Sequence, residues 1–458
     1  MSSKKHILVV TIPGYGHIIP MLELAKKISA FHDVTFALSA SKVPDLTTRE
    51  VLSPNDRVEI YPIPDGLTID PNEDTINDKE AGRRWLMAIH SSFAQLINGL
   101  PTPTAVGTIS GLKPVNVIIV DIFFGVPVVT TIPYYIFNAA NSMVLQCILA
   151  LHDDTPVVAE GDEATARFMR IREPGGPELA VQAFEKVMFL PIVKTMLRAT
   201  GMIINSLRDI ETSLPAVEAD PNMKGLTVHC VGPLFPEETS TKDAKNFAVE
   251  EKVAKWLDGK DPESVVYVSF GSFATPTDEQ VTVLGQALLE LGKPFLWSLR
   301  EKCHKFLPDG LKNELEGRDG LVLPWAPQKL ILAHPSVAIF VSHCGWNSTL
   351  EGLGSGKPFV AWPMFADQLL NGQWIVKLGA GVLIPETGTK GVRIVPVEEI
   401  HTAINEVGGW KAAGESGAVS KYRQASRVWS DKLRDGWTHN GSSFHEFMDL
   451  IEFPNKSS

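Results

Sequence analysis

Strand and helix signals alternate along this chain, stop, and then start again. HILVVT (6–11) reads as a buried strand, and PMLELAKKISA (20–30) follows it with Met21, Leu24, Ala25 and Ile28 at helical spacing. VTFALS (34–39) and VNVIIVD (115–121) are further strands, the second ending in an acid, and GMIINS (201–206) and TVHCVGP (227–233) continue the series. A polar stretch, PEETSTKDAKN (236–246), has the composition of a linker. The pattern then resumes with SVVYVSFGS (264–272) as strand and turn, and with a helix over 278–292 closed by Gly292. FLWSLR (295–300), LVLPW (321–325), AIFVSH (338–343) and PFVAWP (358–363) read as strands. Such alternation predicts a parallel sheet with helices on both faces, built twice.

Length agrees, since 458 residues suffice for two domains with separate cores. A hydrophobic content of 44% and a charged content of 21% are those of an ordinary soluble protein. The net charge of −11, with no Lys/Arg-rich run, argues against nucleic acid or an anionic membrane as partner. The N-terminal apolar run ends at Pro13 and Gly14, which suits a first strand and not a signal peptide. The most apolar region, 115–137, contains Asp121, Pro127 and Pro133, so it reads as buried strands with turns and not as a membrane span. The four cysteines fit neither zinc spacing nor a disulfide framework, which points to a reduced, cytoplasmic protein.

The stretch 325–368 carries the most chemistry. Its apolar run AIFV (338–341) feeds SHCGWNSTLE, a strand leading into a helix N-terminus through small and polar residues. Free backbone N–H groups at such a terminus favour an anion, a diphosphate above all. Trp325 at one end is suited to a base, and the polar pair Asp367–Gln368 at the other to sugar hydroxyls, so the stretch reads as a nucleotide-sugar site. Ser348-x-x-Glu351 also has the spacing of a capping box, and Asn347 and Ser348 could simply cap the helix. Near the start of the chain, His17 lies within GYGH, where Gly14 and Gly16 permit close approach of a ligand. Imidazole is the natural base for a hydroxyl near neutral pH. The residues alone equally allow a turn with a helix-capping histidine. Asp121, at the end of a buried strand, could orient such a base or merely cap a turn. No D-x-D pair occurs, so the carboxylate pair of metal-dependent glycosyl transfer is missing and no metal is expected.

The stretch 325–368 resembles the signature box of the plant-type family 1 UDP-dependent glycosyltransferases. The match rests on Trp325, Ala326, Gln328, His334, Pro335, His343, Gly345, Trp346, Asn347, Ser348, Glu351, Gly352, Pro358, Trp362, Pro363, Asp367 and Gln368. PGYGHIIP (13–20), VDIFFG (120–125), IINSLRDIE (203–211), VGPLFP (231–236), WLDGKDPESVVYVSFGS (256–272) and GSSFHEF (441–447) also sit where the family has equivalents. The resemblance is weakest in 40–110 and 150–200, the latter including REPGGPE (172–178). It implies the GT-B fold, two Rossmann-like domains facing a cleft. The corresponding boundaries are 1–238 for an acceptor-binding domain, 239–250 for a linker, 251–440 for a UDP-sugar-binding domain and 441–458 for a helix returning to the first.

The resemblance also implies roles. His17 becomes the catalytic base and Asp121 the acid that orients it. Ser272, His343, Asn347 and Ser348 fall with the diphosphate, Trp325 with uracil, and Gln328 and Glu351 with the ribose, while Gly16, Ala326 and Gly345 fall within the UDP-sugar site. Trp346, Asp367 and Gln368 fall with the sugar; a closing Gln is associated in plant members with glucose. Asn138 stands where the family often has Thr or Ser touching the sugar, and an amide can replace that donor. The expected protein is an inverting, metal-independent UDP-glucosyltransferase acting as a cytoplasmic monomer. Its acceptor is a small lipophilic alcohol, with a phenol or flavonoid the best guess, and it has neither nucleic-acid nor membrane partner. Two rivals remain: a dinucleotide oxidoreductase using Gly14-Tyr-Gly16 as cofactor loop, and a non-catalytic binding protein on the same fold.

Overall fold

The computed structural model describes residues 4–48, 51–53, 55–64, 91–97, 100, 113–124, 130–150, 192–236, 244–271, 275–312, 319–365, 367–387, 393–410 and 420–453. These residues divide into two compact units, one running to Pro236 and resuming at Gly436, the other spanning Ala244 to Asp435. Each unit is built on one parallel sheet.

The first sheet contains β1 (His6–Val10), β2 (Asp33–Ser39), β3 (Val58–Ile63), β4 (Val117–Asp121), β5 (Tyr134–Asn138), β6 (Gly201–Ile204) and β7 (Thr227–Cys230). Their spatial order is β3-β2-β1-β4-β5-β6-β7, and every neighbouring pair is parallel. The apolar strands β1 and β4 are buried along their whole length, as expected for a sheet covered on both faces. The helix Tyr15–Ser29 turns Ile18, Met21, Leu22, Leu24, Ala25 and Ile28 onto the sheet. It starts one and a half turns before the expected position, so His17 is helical. The helix Ser442–Ile451 belongs to this unit and buries Phe447, Leu450 and Ile451 in the same core as Ile7 and Phe36. Burying side chains of this size contributes roughly 1.5–3 kcal/mol each.

The second sheet contains β8 (Val265–Ser269), β9 (Phe295–Ser298), β10 (Gly320–Leu323), β11 (Val337–Ser342), β12 (Phe359–Ala361) and β13 (Gly381–Leu383). Its order is β10-β9-β8-β11-β12-β13, again entirely parallel. Val266, Val268 and Phe270 face a cluster closed by the helices Asp278–Glu290 and Val397–Gly408. On the other face Tyr267, Phe340 and Phe359 form an aromatic layer, with ring centroids 5.1 and 5.4 Å apart.

The structure differs from the expected boundaries at two places. The second half of the proposed linker 239–250 lies in the helix Ala244–Asp258, whose Val253 and Leu257 are fully buried one turn apart. Its polar exposed face made it look like a linker. The chain rejoins the first unit at Gly436, not at residue 441. No helix among the described residues is long and apolar enough to cross a membrane.

Gly352 sets how closely the helix Trp346–Gly354 approaches the aromatic layer. A Cβ there would stand 2.3 Å from Phe359 Cζ and 2.9 Å from Phe340 Cδ1. Gly352→Ala should therefore destabilise the second unit by about 1–3 kcal/mol through overpacking. Calorimetry of both proteins checks this, and an unchanged Tm would mean that the helix can move away freely.

Candidate active site

In each sheet the strand order reverses once, between β1 and β4 in the first and between β8 and β11 in the second. Connections leave such neighbouring strands in opposite directions, and the crevice at their carboxyl ends is where open α/β sheets bind ligands. Each unit places its polar sequence motif there.

In the first unit, Gly14 ends the turn after β1 and caps the helix by accepting from His17 N and Ile18 N. The capping role is thus the backbone's, and the reading of His17 as a capping side chain is excluded. Its ring instead reaches the end of β4, where Nδ1 lies 2.8 Å from Asp121 Oδ2. Asp121 has no exposed surface, and its Oδ1 accepts from Phe123 N at 2.9 Å. A carboxylate only accepts, so Nδ1 carries the hydrogen and Nε2 keeps its lone pair. Phe123 meets the imidazole edge-on at 5.3 Å. The His17 side chain retains 21% exposure, which leaves it open to a ligand while its partner is sealed. Gly16 is exposed beside it.

In the second unit, β11 runs into the helix Trp346–Gly354 through Cys344, whose φ of 61° is unusual for a non-glycine residue, and Gly345, the N-cap. No side chain caps this helix, so Ser348 and Glu351 do not form a capping box. Gln328 joins them: its Nε2 donates to Glu351 Oε2 at 2.7 Å and to Ser348 Oγ at 3.1 Å. Burial pushes the Glu351 carboxyl above its ordinary range, and the Gln328 hydrogen bond opposes that rise. Asn347 is half-buried in the first turn of the helix. Trp325 is 46% exposed just beyond β10, as a stacking platform must be, and Ala326 beside it is buried. Ser272 lies outside the described residues.

His343 is held between two turns. A Cβ on either Gly271 or Gly345 would stand 2.6 Å from its Nε2. Among the described residues its Nδ1 is buried without a partner, and burial pushes the pKa of the ring down to about 4 against the opposing effect of the Ser269 backbone. It is therefore a neutral imidazole at physiological pH.

Three residues expected at the sugar are placed with other tasks. Asn138 is fully buried in the first unit, with Nδ2 donating to Asn141 O and Oδ1 accepting from Ala140 N. Its amide organises its own turn. Trp346 is buried and packs against Trp374 at 5.1 Å. Gln368 uses Oε1 to accept from Met364 N and Phe365 N, holding the loop before it. Asp367 remains half-buried at the loop end. Asn371, which sequence reasoning missed, ties this loop to the turn before the helix Trp346–Gly354: its Nδ2 donates to Asp367 Oδ2 and to Cys344 O, both at 2.8 Å. The only hint was its place one helical turn beyond Asp367.

Two doubly wound sheets, each with polar groups gathered at its switch point, define a two-domain α/β protein of the nucleotide-binding kind. Residues 235–407 match the family model described as UDP-glucoronosyl and UDP-glucosyl transferase. UDP-glycosyltransferase 72B2 of Arabidopsis thaliana is 31% identical over 450 residues, covering 89% of each chain. A solved structure of a UDP-glucosyltransferase from Polygonum tinctorium capable of glucosylating indoxyl, in complex with 3,4-dichloroaniline, is 25% identical, with a TM-score of 0.76 over 99% of both chains. Phytolacca americana UGT2, solved with UDP-2-fluoro-glucose and pterostilbene, is 25% identical with a TM-score of 0.71, over 99% of this chain and 100% of its own. The chain belongs to the UDP-glycosyltransferase family, and it is an enzyme of the GT-B fold. The dinucleotide oxidoreductase and the non-catalytic binding protein are thereby set aside.

His343 gives this site a pH signature. Its folded pKa of about 4 lies below the ordinary 6.5, so between these values the unfolded chain binds a proton that the folded chain refuses. Stability contributed by His343 should rise with pH across that window and level off above it. Urea unfolding from pH 4.5 to 7.5 checks this, with a shallower rise expected in His343→Gln; an identical slope in the variant would contradict the assignment.

Proposed function

We propose that this enzyme is an inverting UDP-glucosyltransferase whose base is His17. The observation that carries the proposal is the 2.8 Å contact between His17 Nδ1 and the sealed Asp121 carboxylate. Asp121 holds the tautomer that keeps Nε2 basic and stabilises the imidazolium formed when Nε2 takes the acceptor's hydroxyl proton. The alkoxide-like oxygen then attacks the anomeric carbon of UDP-α-glucose in line, the bond to the UDP oxygen breaks, and a β-glucoside leaves with UDP.

The donor half of the reading rests on the second unit. Trp325 stacks on uracil, a contact worth about 1–3 kcal/mol per base. Gln328 and Glu351 receive the ribose. The N-terminus of the helix Trp346–Gly354, neutral His343, Asn347, Ser348 and Ser272 stabilise the departing diphosphate by hydrogen bonds and the helix dipole, with no metal ion. Asp367 and the Nε2 of Gln368 address the glucose hydroxyls. The glucosylation of indoxyl by the Polygonum tinctorium relative supports glucose as the sugar and a small lipophilic hydroxyl compound, a phenol or flavonoid, as the acceptor. The first unit would hold that acceptor, and the enzyme is read as a cytoplasmic monomer.

His17→Ala should lower turnover roughly 10²–10⁴-fold, the usual worth of a general base, while UDP-glucose binding measured by calorimetry persists. Near-normal turnover on the best alcohol acceptor would remove His17 from this role.

The donor reading is tested by competing UDP-glucose, UDP-galactose and UDP-glucuronic acid in excess EDTA. Glucose transfer should continue and exceed the other two by roughly one to two decades in kcat/KM, the cost of one unpaired buried polar group. Loss of activity restored by Mg²⁺ would refute the metal-free mechanism, and preference for another sugar would refute the role of Asp367 and Gln368.

A further inference from the structure

We infer that Tyr267 is a positioning residue for the donor's ribose: its hydroxyl fixes the Gln328 amide, and through it the Glu351 carboxylate, so that discrimination between ribo- and 2′-deoxyribonucleotide sugars depends on a buried strand residue. The inference rests on the reading above that Gln328 and Glu351 receive the ribose.

Tyr267 lies in the middle of β8, within an otherwise apolar run. Successive strand residues face opposite sides, so Val266 and Val268 enter one core cluster while Tyr267 points the other way. There its ring is 1% exposed and stacks on Phe340 at 5.1 Å and 12°. Phe340 is backed by Phe359, and Gly352 brings the helix that carries Glu351 down onto these rings. The phenol is therefore a rigid post under the site. Its hydroxyl donates to Gln328 Oε1 at 3.3 Å.

The Glu351 contact settles which way the amide faces. The carboxylate oxygen Oε2 accepts from Gln328 Nε2 at 2.7 Å, and the opposite amide orientation would set Oε1 against it. With Nε2 held there, Oε1 is the atom left to accept from the Tyr267 hydroxyl. The Tyr267 donor and the Glu351 acceptor thus agree on a single arrangement, with Ser348 Oγ as a second acceptor at 3.1 Å. One carboxylate oxygen of Glu351 is committed to the protein by this chain of bonds, and the other is left to meet the paired hydroxyls of a ribose. A 2′-deoxyribose offers one hydroxyl fewer, so its penalty depends on how firmly the carboxylate is held.

Tyr267→Phe preserves the ring and removes the hydroxyl. The test measures kcat/KM for UDP-glucose and for 2′-deoxy-UDP-glucose with wild type, Tyr267→Phe, Gln328→Met and Glu351→Gln. In Tyr267→Phe the ribose-to-deoxyribose ratio should fall about two- to tenfold, the worth of one neutral hydrogen bond. The loss should lie in KM for UDP-glucose, with kcat at saturation nearly unchanged. Gln328→Met, which removes the acceptor of the same bond together with the amide's own contacts, should lower the ratio at least as far. A wild-type ratio in Tyr267→Phe alongside a lowered ratio in Glu351→Gln overturns the inference and leaves the ribose reading intact. Equal losses on both donors in Tyr267→Phe, as a merely structural role would produce, also overturn it. An unchanged ratio in Glu351→Gln overturns the ribose reading itself.

Discussion

A parallel sheet whose strand order reverses has one place where its loops part, and both halves of this enzyme are organised around that geometry. In the first unit the reversal falls between β1 and β4, and the two residues that meet there are His17 and Asp121. In the second it falls between β8 and β11, and there the Gly271 turn meets His343 and Gly345. Residues 104 positions apart in the first case become hydrogen-bonded neighbours because adjacent strands hold their carboxyl ends in register. The helices Tyr15–Ser29 and Trp346–Gly354 begin at these turns, so the positive ends of their dipoles lie at the same strand ends. Chemistry therefore accumulates at the strand ends, and the long apolar strands serve to hold those ends in place.

The two histidines show how burial sorts one residue type into different tasks. Asp121 is sealed from water, and a buried carboxylate is costly unless its oxygens are satisfied. Phe123 N satisfies one oxygen and His17 the other, so the pairing is required by the fold as well as useful to the chemistry. Among the described residues no carboxylate faces His343, and burial holds it neutral. A neutral ring can donate a hydrogen bond to an anion without carrying a charge that would bind the leaving group too firmly. Environments that push two like groups apart define their roles.

Most of this was legible in the sequence where side-chain chemistry and periodicity coincide. The buried strands β1, β4, β8 and β11 read clearly because they are short apolar runs ended by Gly or polar residues. The motif 325–368 located the second site because its polar residues cluster at one strand–helix junction. Other features were hidden for physical reasons. The helix Ala244–Asp258 buries only a narrow stripe, so its exposed face resembled a linker. Asn138 looked like a ligand donor because no sequence pattern shows that its amide closes its own turn. Tyr267 was hidden because a phenol within VVYVS differs from its neighbours only when its hydroxyl has somewhere to go. Asn371 was hidden in the same way, because its value lies in bridging Asp367 to a carbonyl far away in sequence.

Three amides of the second unit share one physical property. Gln368, Asn371 and Gln328 each commit part of an amide to the protein, and Gln328 does so on both sides. An amide fixed at one end cannot turn to suit a different ligand, so its remaining face presents a donor or an acceptor and not either at will. For Gln368 the carbonyl holds Met364 and Phe365, and the face left over is a donor. For Glu351 the neighbouring amide occupies one oxygen, and what is left accepts. A pocket read by such half-committed groups is organised before its ligand arrives, which lowers the ordering cost of binding and raises the cost of a mismatched hydroxyl. On the proposed reading of the site, selectivity is therefore set as much by the bonds that residues make away from the ligand as by those they make to it.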